Sequence, residues 1–280
     1  MAEYIEIKHD KLTARIAPNN GGMAAQLIFD GIEVFMYDDS VIETMPMSAG
    51  APVLFPFPSK TKGDAYILDG CEYYMPMHGL VKNGTFVLKD RAPDSVTLWC
   101  DSSSSQRLAN YPFDYVLELE YRACGNSFFS TARVTNKSAK PMPHYLGWHP
   151  YFKATDKSAL KFEHSMTKHY NYYDCIDEPA VLDMDLGKSW DNVFHTPEKK
   201  EFSLINKPDG YRARYILDDA HNVLVVCTTV DGAVCLEPWC GLPDSINNSR
   251  FVKYVQPGMT ESYTVELEVE KIMEEAEIHR

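Results

Sequence analysis

The chain has 280 residues, 45% of them hydrophobic, and a net charge of −13 from 27 basic and 40 acidic side chains. That length suits one large all-β domain or two smaller units, with enough apolar material for a substantial core. The acidic balance argues against a nucleic-acid surface or a polybasic membrane surface, because both need clustered Lys and Arg.

The opening residues, MAEYIEIKHD, interleave charges with apolar residues and hold no secretory signal pattern. Aliphatic runs such as VLVVC (223–227) are too short to cross a bilayer. From there the periodicity is two rather than 3.6. VLELEYR (116–122) sets Leu117, Leu119 and Tyr121 against Glu118, Glu120 and Arg122, and YTVELEVE (263–270) repeats the pattern. Each reads as a strand with one buried and one wet face. Asp30-Gly31, Gly125-Asn126 and Asp231-Gly232 sit between such runs as two-residue hairpin connections. Ser102 to Ser105 read as a loop, the prolines gather in loops, and only the tail EKIMEEAEIHR (270–280) looks helical. The seven cysteines, an odd number with no C-x-x-C pair, predict free thiols in a reducing cytoplasm. No repeat or linker divides the chain. The expectation is a single all-β domain over 1–280, a large antiparallel β-sandwich.

Three stretches depart from plain alternation: APVLFPFPSKTKGDAY (51–66) leading into MPMHGLVKNGTF (75–86), YLGWHPYF (145–152) and CLEPWCGLPD (235–244). Each gathers Pro or Gly and aromatic rings around one ionisable residue: His78, His149 and Glu237. Rings beside a few polar groups suit a sugar, whose C–H faces stack while its hydroxyls need hydrogen bonds. Trp148, Trp239 and Phe57 are candidate surfaces. Taken singly, each residue also has a structural reading: His149 as an edge histidine, Glu237 as a strand end, His78 as a turn, the tryptophans as core. His144, His164, His169, His195 and His221 show no metal-ligand spacing and read as structural, so no metal is expected. Serine-hydrolase, nucleotide and dinucleotide motifs are absent from the sequence.

At these stretches, and in YPFDYVLELEY (111–121) and VTNKSAKPMPHYLGWHPYF (134–152), the sequence resembles the aldose 1-epimerase family, most closely its bacterial mutarotase-related branch. The resemblance implies a galactose mutarotase-like sandwich with a sugar cleft. It implies a general acid at His149, a general base at Glu237 and a sugar contact at His78. It departs where the family has Asn-Arg after L-F-P and this chain has Ser59-Lys60, and where many relatives have Arg after H-G and this chain has Lys82. Lys keeps the charge but loses the planar fork. Asp191 is a weaker candidate for the family's Asp contact.

The expected reaction interconverts the anomers of an aldose without metal or cofactor. Glu237 removes the anomeric hydroxyl proton, and His149, protonated if neighbouring carboxylates raise its pKa, delivers one to the ring oxygen. Pro150 stiffens the backbone at His149. Lys60, Lys62 and Lys82 open a second reading, a hexose-6-phosphate 1-epimerase, and the departures at Ser59 and Lys60 a third, a carbohydrate-binding protein without catalysis. The expected partner is a monosaccharide or sugar phosphate. Neither nucleic acid nor membrane is expected, and a homodimer stays open.

Overall fold

The computed structural model describes residues 3–45, 47–103 and 109–272. β1 (Ile5–His9), β2 (Leu12–Ala17), β3 (Met23–Phe29) and β4 (Ile32–Glu33) form an antiparallel sheet in chain order. After it come β5 (Val53–Leu54) and a separate hairpin of β6 (Ala65–Leu68) and β7 (Cys71–Tyr74). β8 (Val87–Arg91), β9 (Ser95–Asp101), β10 (Tyr115–Cys124) and β11 (Ser127–Asn136) run as a meander in the large sheet. The chain continues through β12 (Met142–His144), β13 (Gly147–Trp148), β14 (Tyr151–Lys153), β15 (Lys161–Asn171), β16 (Ile176–Pro179), β17 (Asp191–Asn206) and β18 (Tyr211–Leu217). It ends in β19 (Val223–Cys227), β20 (Ala233–Trp239), β21 (Lys253–Val255) and β22 (Thr260–Lys271). The large sheet runs β5-β13-β20-β19-β17-β18-β22-β11-β10-β9-β8, with β14 on β20 and β15–β16 on β17, while β12 pairs with β21.

The alternation read from sequence produces the sandwich. Along β10 every second residue is buried and the others are half-buried, up to Cys124, which is exposed. Leu117, Leu119 and Tyr121 join Leu98, Phe128, Val265 and Leu267, and the four-stranded sheet lays Ile7, Leu12, Ala14 and Ile16 into the same core. The outward charges of β10 pair rather than stand in water: Glu120 accepts from Arg133 at 2.6 Å and Glu118 pairs with Lys89. Along one edge the long strand β17 pairs with β19 over its first part and β18 over its second, and along the other with β15. This makes it the joint between the core meander and the strands that carry the site.

Three local expectations change. Asp30-Gly31 and Gly125-Asn126 are two-residue hairpins, but β19 ends at Cys227, so Asp231-Gly232 closes a longer connection over 228–232. The helical reading of the tail fails at Glu270 and Lys271, which end β22; the cross-strand ladder to β18 claims them, and residues 273–280 lie outside those described. Ser104 and Ser105 are likewise outside them. An unforeseen helix, Asp39–Thr44, starts where Asp38 accepts hydrogen bonds from the Ser40 and Val41 amides at 2.9 and 3.2 Å, an N-cap.

Asn136 anchors the segment that leads into β12 and β13. It is fully buried, donates through Nδ2 to Lys140 O at 2.7 Å and Val255 O at 2.8 Å, and accepts from the Ser138 amide at 2.8 Å. Asn136→Ala leaves buried backbone groups unpaired, at about 1–3 kcal/mol each. We expect it to lower unfolding stability by roughly 2–4 kcal/mol, read as a lower urea midpoint with an unchanged m-value.

Candidate functional site

His149 stands at a break in a strand. On one side of the break Gly147 lies opposite both Leu54 of β5 and Trp239 of β20. On the other, Tyr151 lies opposite Cys235 in the same register. Position 149 therefore faces position 237. No ladder bond forms between them: the His149 amide donates to Pro52 O at 2.9 Å, and Pro150 has no N–H to give. Glycine is needed at 147 because a Cβ there would come within 2.3 Å of the Trp239 ring.

The two side chains meet. His149 Nε2 is 3.4 Å from Glu237 Oε1, longer than a normal charge-assisted hydrogen bond. Glu237 is 2% exposed and His149 9%. His149 Nδ1, Glu237 Oε2 and the Trp239 indole Nε1 have no hydrogen-bond partner. The Tyr151 ring stacks on the imidazole at 4.7 Å and 14°, and its hydroxyl donates to Met47 O.

His78 approaches from the loop between β7 and β8, edge-on to His149 at 5.3 Å and to Trp239 at 6.2 Å. Its Nδ1 accepts from the Ser59 amide at 3.2 Å, which leaves the hydrogen of the neutral ring on Nε2. His78 has φ 66°, a left-handed backbone that L-residues rarely hold, and Gly79 beside it could not carry a Cβ, which would lie 2.2 Å from Phe55 O.

Burial dominates the electrostatics. It pulls the His149 imidazole down to about 3, with the nearby His78 adding to the fall. It takes His78 to about 4, helped by the charges of Lys82 and Lys60. It pushes the Glu237 carboxyl well above the usual carboxylate range, reinforced by Cys227 and Asp191; the Trp239 indole on the same face opposes that rise without closing a hydrogen bond. The rise in the His149 pKa that neighbouring carboxylates would bring is thus reversed. Charge is costly in so dry a place, and burial disfavours the charged form of both groups.

Period two decides which other residues share the face. Val234 and Leu236 of β20 enter the main core, and Cys235, Glu237 and Trp239 point the other way. Beyond Glu237 the row continues through Val225, Val193 and Tyr170. The neighbouring row runs Tyr151, Cys235, Cys227 and Asp191. This register puts Asp191 on the same face as Glu237, whose carboxyl it influences. Leu54 and Leu242, with the half-buried Met47, Tyr172 and Phe251, pack around Trp239.

Two aromatic candidates fall away. Trp148 is adjacent to His149, so it faces the opposite side, 2% exposed in the main core against His221. Phe57 is likewise core, stacked on Tyr145 at 4.8 Å. Neither is available to a sugar. Lys60 is exposed, and Lys82 donates to Met77 O at 2.5 Å. A surface cavity of about 390 Å³ between Glu163, Lys199, Arg212 and Arg214 includes none of the site residues.

Cys235, Cys227 and Tyr151 were not singled out from sequence. The alternation itself marked Cys235, two positions before Glu237. His149, Cys235 and Glu237 together offer nitrogen, sulfur and oxygen donors within 4.8 Å of one another.

The fold superposes on Slr1438 from Synechocystis sp. PCC 6803 with a TM-score of 0.90 at 19% identity, over 97% of this chain and 96% of that one. It superposes on a galactose mutarotase-like protein from Clostridium acetobutylicum with a TM-score of 0.86 at 18% identity, over 97% and 96%. It also superposes on a putative aldose 1-epimerase from Escherichia coli K12 with a TM-score of 0.82 at 17% identity, over 97% and 100%. No curated protein matches the chain. The family model described as aldose 1-epimerase matches residues 3–269, and the chain belongs to that family.

Proposed function

We propose that the protein is an aldose 1-epimerase that interconverts the α and β anomers of a hexose, with His149 and Glu237 as the acid–base pair. One observation carries the reading: an imidazole nitrogen and a carboxylate oxygen held 3.4 Å apart, cross-strand, on a buried aromatic face.

The pair carries one proton whether it is written as carboxyl plus imidazole or as carboxylate plus imidazolium. Ring opening needs a proton taken from the anomeric hydroxyl and one given to the ring oxygen. A sugar hydroxyl donating to Glu237 stabilises its carboxylate form, and the unpaired Trp239 N–H can add to that. The proton then resides on His149, ready for the ring oxygen. Closure on the other face of the aldehyde reverses both transfers, so the enzyme returns to its starting state without metal or cofactor. His78 supplies a hydroxyl contact through Nε2, Trp239 an apolar wall and Asp191 a further polar contact. The whole chain acts as one domain, and we place it in the cytoplasm. No helix among the described residues is long and apolar enough to cross a membrane.

A hexose 6-phosphate is the second reading, because the charges of Lys60 and Lys82 both reach His78. Lys82 spends a donor on Met77 O, which favours the unphosphorylated sugar.

Polarimetry on freshly dissolved α-anomers tests the reading. Turnover well above the buffer rate on a panel of hexoses is expected; a rate equal to buffer on all of them leaves a sugar-binding protein. Glucose should react faster than glucose 6-phosphate, and Lys60→Ala should leave glucose turnover unchanged. Glu237→Gln and His149→Asn should each lower kcat by roughly 10²–10⁴-fold while the fold, followed by circular dichroism, persists. The pH profile carries the sign of the shifts. Burial takes His149 down and Glu237 up, which widens the range over which the pair holds one proton. We expect kcat/KM to stay flat from about pH 6 to 8, with no limb near the ordinary imidazole value of about 6.5.

A further inference from the structure

We propose that the acid–base pair and Cys235 form a binding site for a thiophilic divalent cation, Zn²⁺ in the first instance, and that the cation and the sugar exclude each other. The claim about binding stands on the donors alone; the claim about exclusion rests on the proposed epimerase reading.

Geometry comes first. Two zinc bonds of about 2.0–2.1 Å enclosing a tetrahedral angle hold their donor atoms roughly 3.4 Å apart. His149 Nε2 and Glu237 Oε1 are 3.4 Å apart, too far for a good hydrogen bond and well spaced for chelation. Cys235 Sγ completes a set of three within 4.8 Å. Cys235 and Glu237 stand two positions apart on one strand, and His149 faces Glu237 from the next. Three backbone positions therefore bring nitrogen, sulfur and oxygen within 4.8 Å of one another. Such a set leaves a fourth position for water or a sugar hydroxyl.

The chemistry of the donors agrees. Glu237 Oε2 is buried and unpaired, a cost that a cation removes. Binding releases the thiol and carboxyl protons to solvent, and the thiolate and carboxylate left behind cancel the two charges of the cation, so the loaded site is neutral in a dry environment. The half-buried Cys227, in register with Cys235, and Asp191 beyond it lie in the next row of the same face and add negative potential. Binding would take up the very atoms that move the proton, so zinc would stop turnover.

The test is equilibrium dialysis of the metal-free protein against Zn²⁺, with sugar turnover followed in parallel. One zinc per chain is expected, together with loss of turnover relieved by a hexose in competition. Cys235→Ala should leave metal-free turnover unchanged and weaken zinc by more than about 100-fold, since even partners outside the coordination sphere are worth about 10–100-fold. Co²⁺ in place of Zn²⁺ should give a thiolate-to-cobalt charge-transfer band in the wild-type protein. That band decides independently of how any variant folds. No retained metal, equal retention by Cys235→Ala, or bound cobalt without the thiolate band would each overturn the site. Zinc bound with the thiolate band, in a protein that turns over no sugar, would retain the site and remove the epimerase reading.

Discussion

The register between β14 and β20 is the constraint on which the site depends. Tyr151 opposite Cys235 and Gly147 opposite Trp239 leave 149 facing 237. A slip of one residue would send Glu237 to the side of Leu236 and Val234, into the main core, and bring a hydrophobic residue to the reacting face. Several features resist such a slip. Gly147 admits the Trp239 ring where any other residue would clash. The His149 amide is tied to Pro52 O, and Pro150 cannot enter the ladder. On the other face Phe152 and Trp148 lock into the core that also fixes β10, β11 and β22. The sandwich thereby transmits the rigidity of its centre to two side chains at its edge.

That rigidity has an energetic cost. Several polar atoms around the pair are buried without partners, each worth about 1–3 kcal/mol of lost stability. A core built for stability alone would place apolar residues there. Unpaired groups gathered on one buried face are what a polar guest would satisfy on binding. The same burial disfavours the charged form of both groups, drawing the imidazole down and the carboxyl up. Exposed, both would titrate near their ordinary values.

Much of this was legible in the residues. The alternation in VLELEYR and YTVELEVE fixes which faces of β10 and β22 enter the core, because side chains on a strand can point only two ways. His149 and Glu237 stood out by local chemistry and by resemblance. The same alternation could have separated the two tryptophans: Trp148 is one position from His149 and must oppose it, while Trp239 is two positions from Glu237 and must accompany it. It could also have marked Cys235. Other features were out of reach because they are not local. Asp191 comes to the face only through the pairing of β17 with β19 and of β19 with β20. The left-handed backbone of His78 accompanies a hydrogen bond from its amide to Ser59 O, far back in the chain. The tail showed the opposite failure: helix-compatible residues at Glu270 and Lys271 are drawn into β22 by an available ladder.

Proton transfer and metal binding ask for related things from a buried pair. Both need a neutral imidazole and a carboxyl group held a few ångströms apart, shielded from water and aimed at one point. They differ in the third group. A proton-transfer site is complete with hydroxyl contacts such as His78 and Trp239 can offer, whereas a cation needs one more anionic or soft donor. In this chain that donor is Cys235, on the same face and the same strand as Glu237. The identity of one side chain, two positions from Glu237, therefore supplies the third donor that a cation would need.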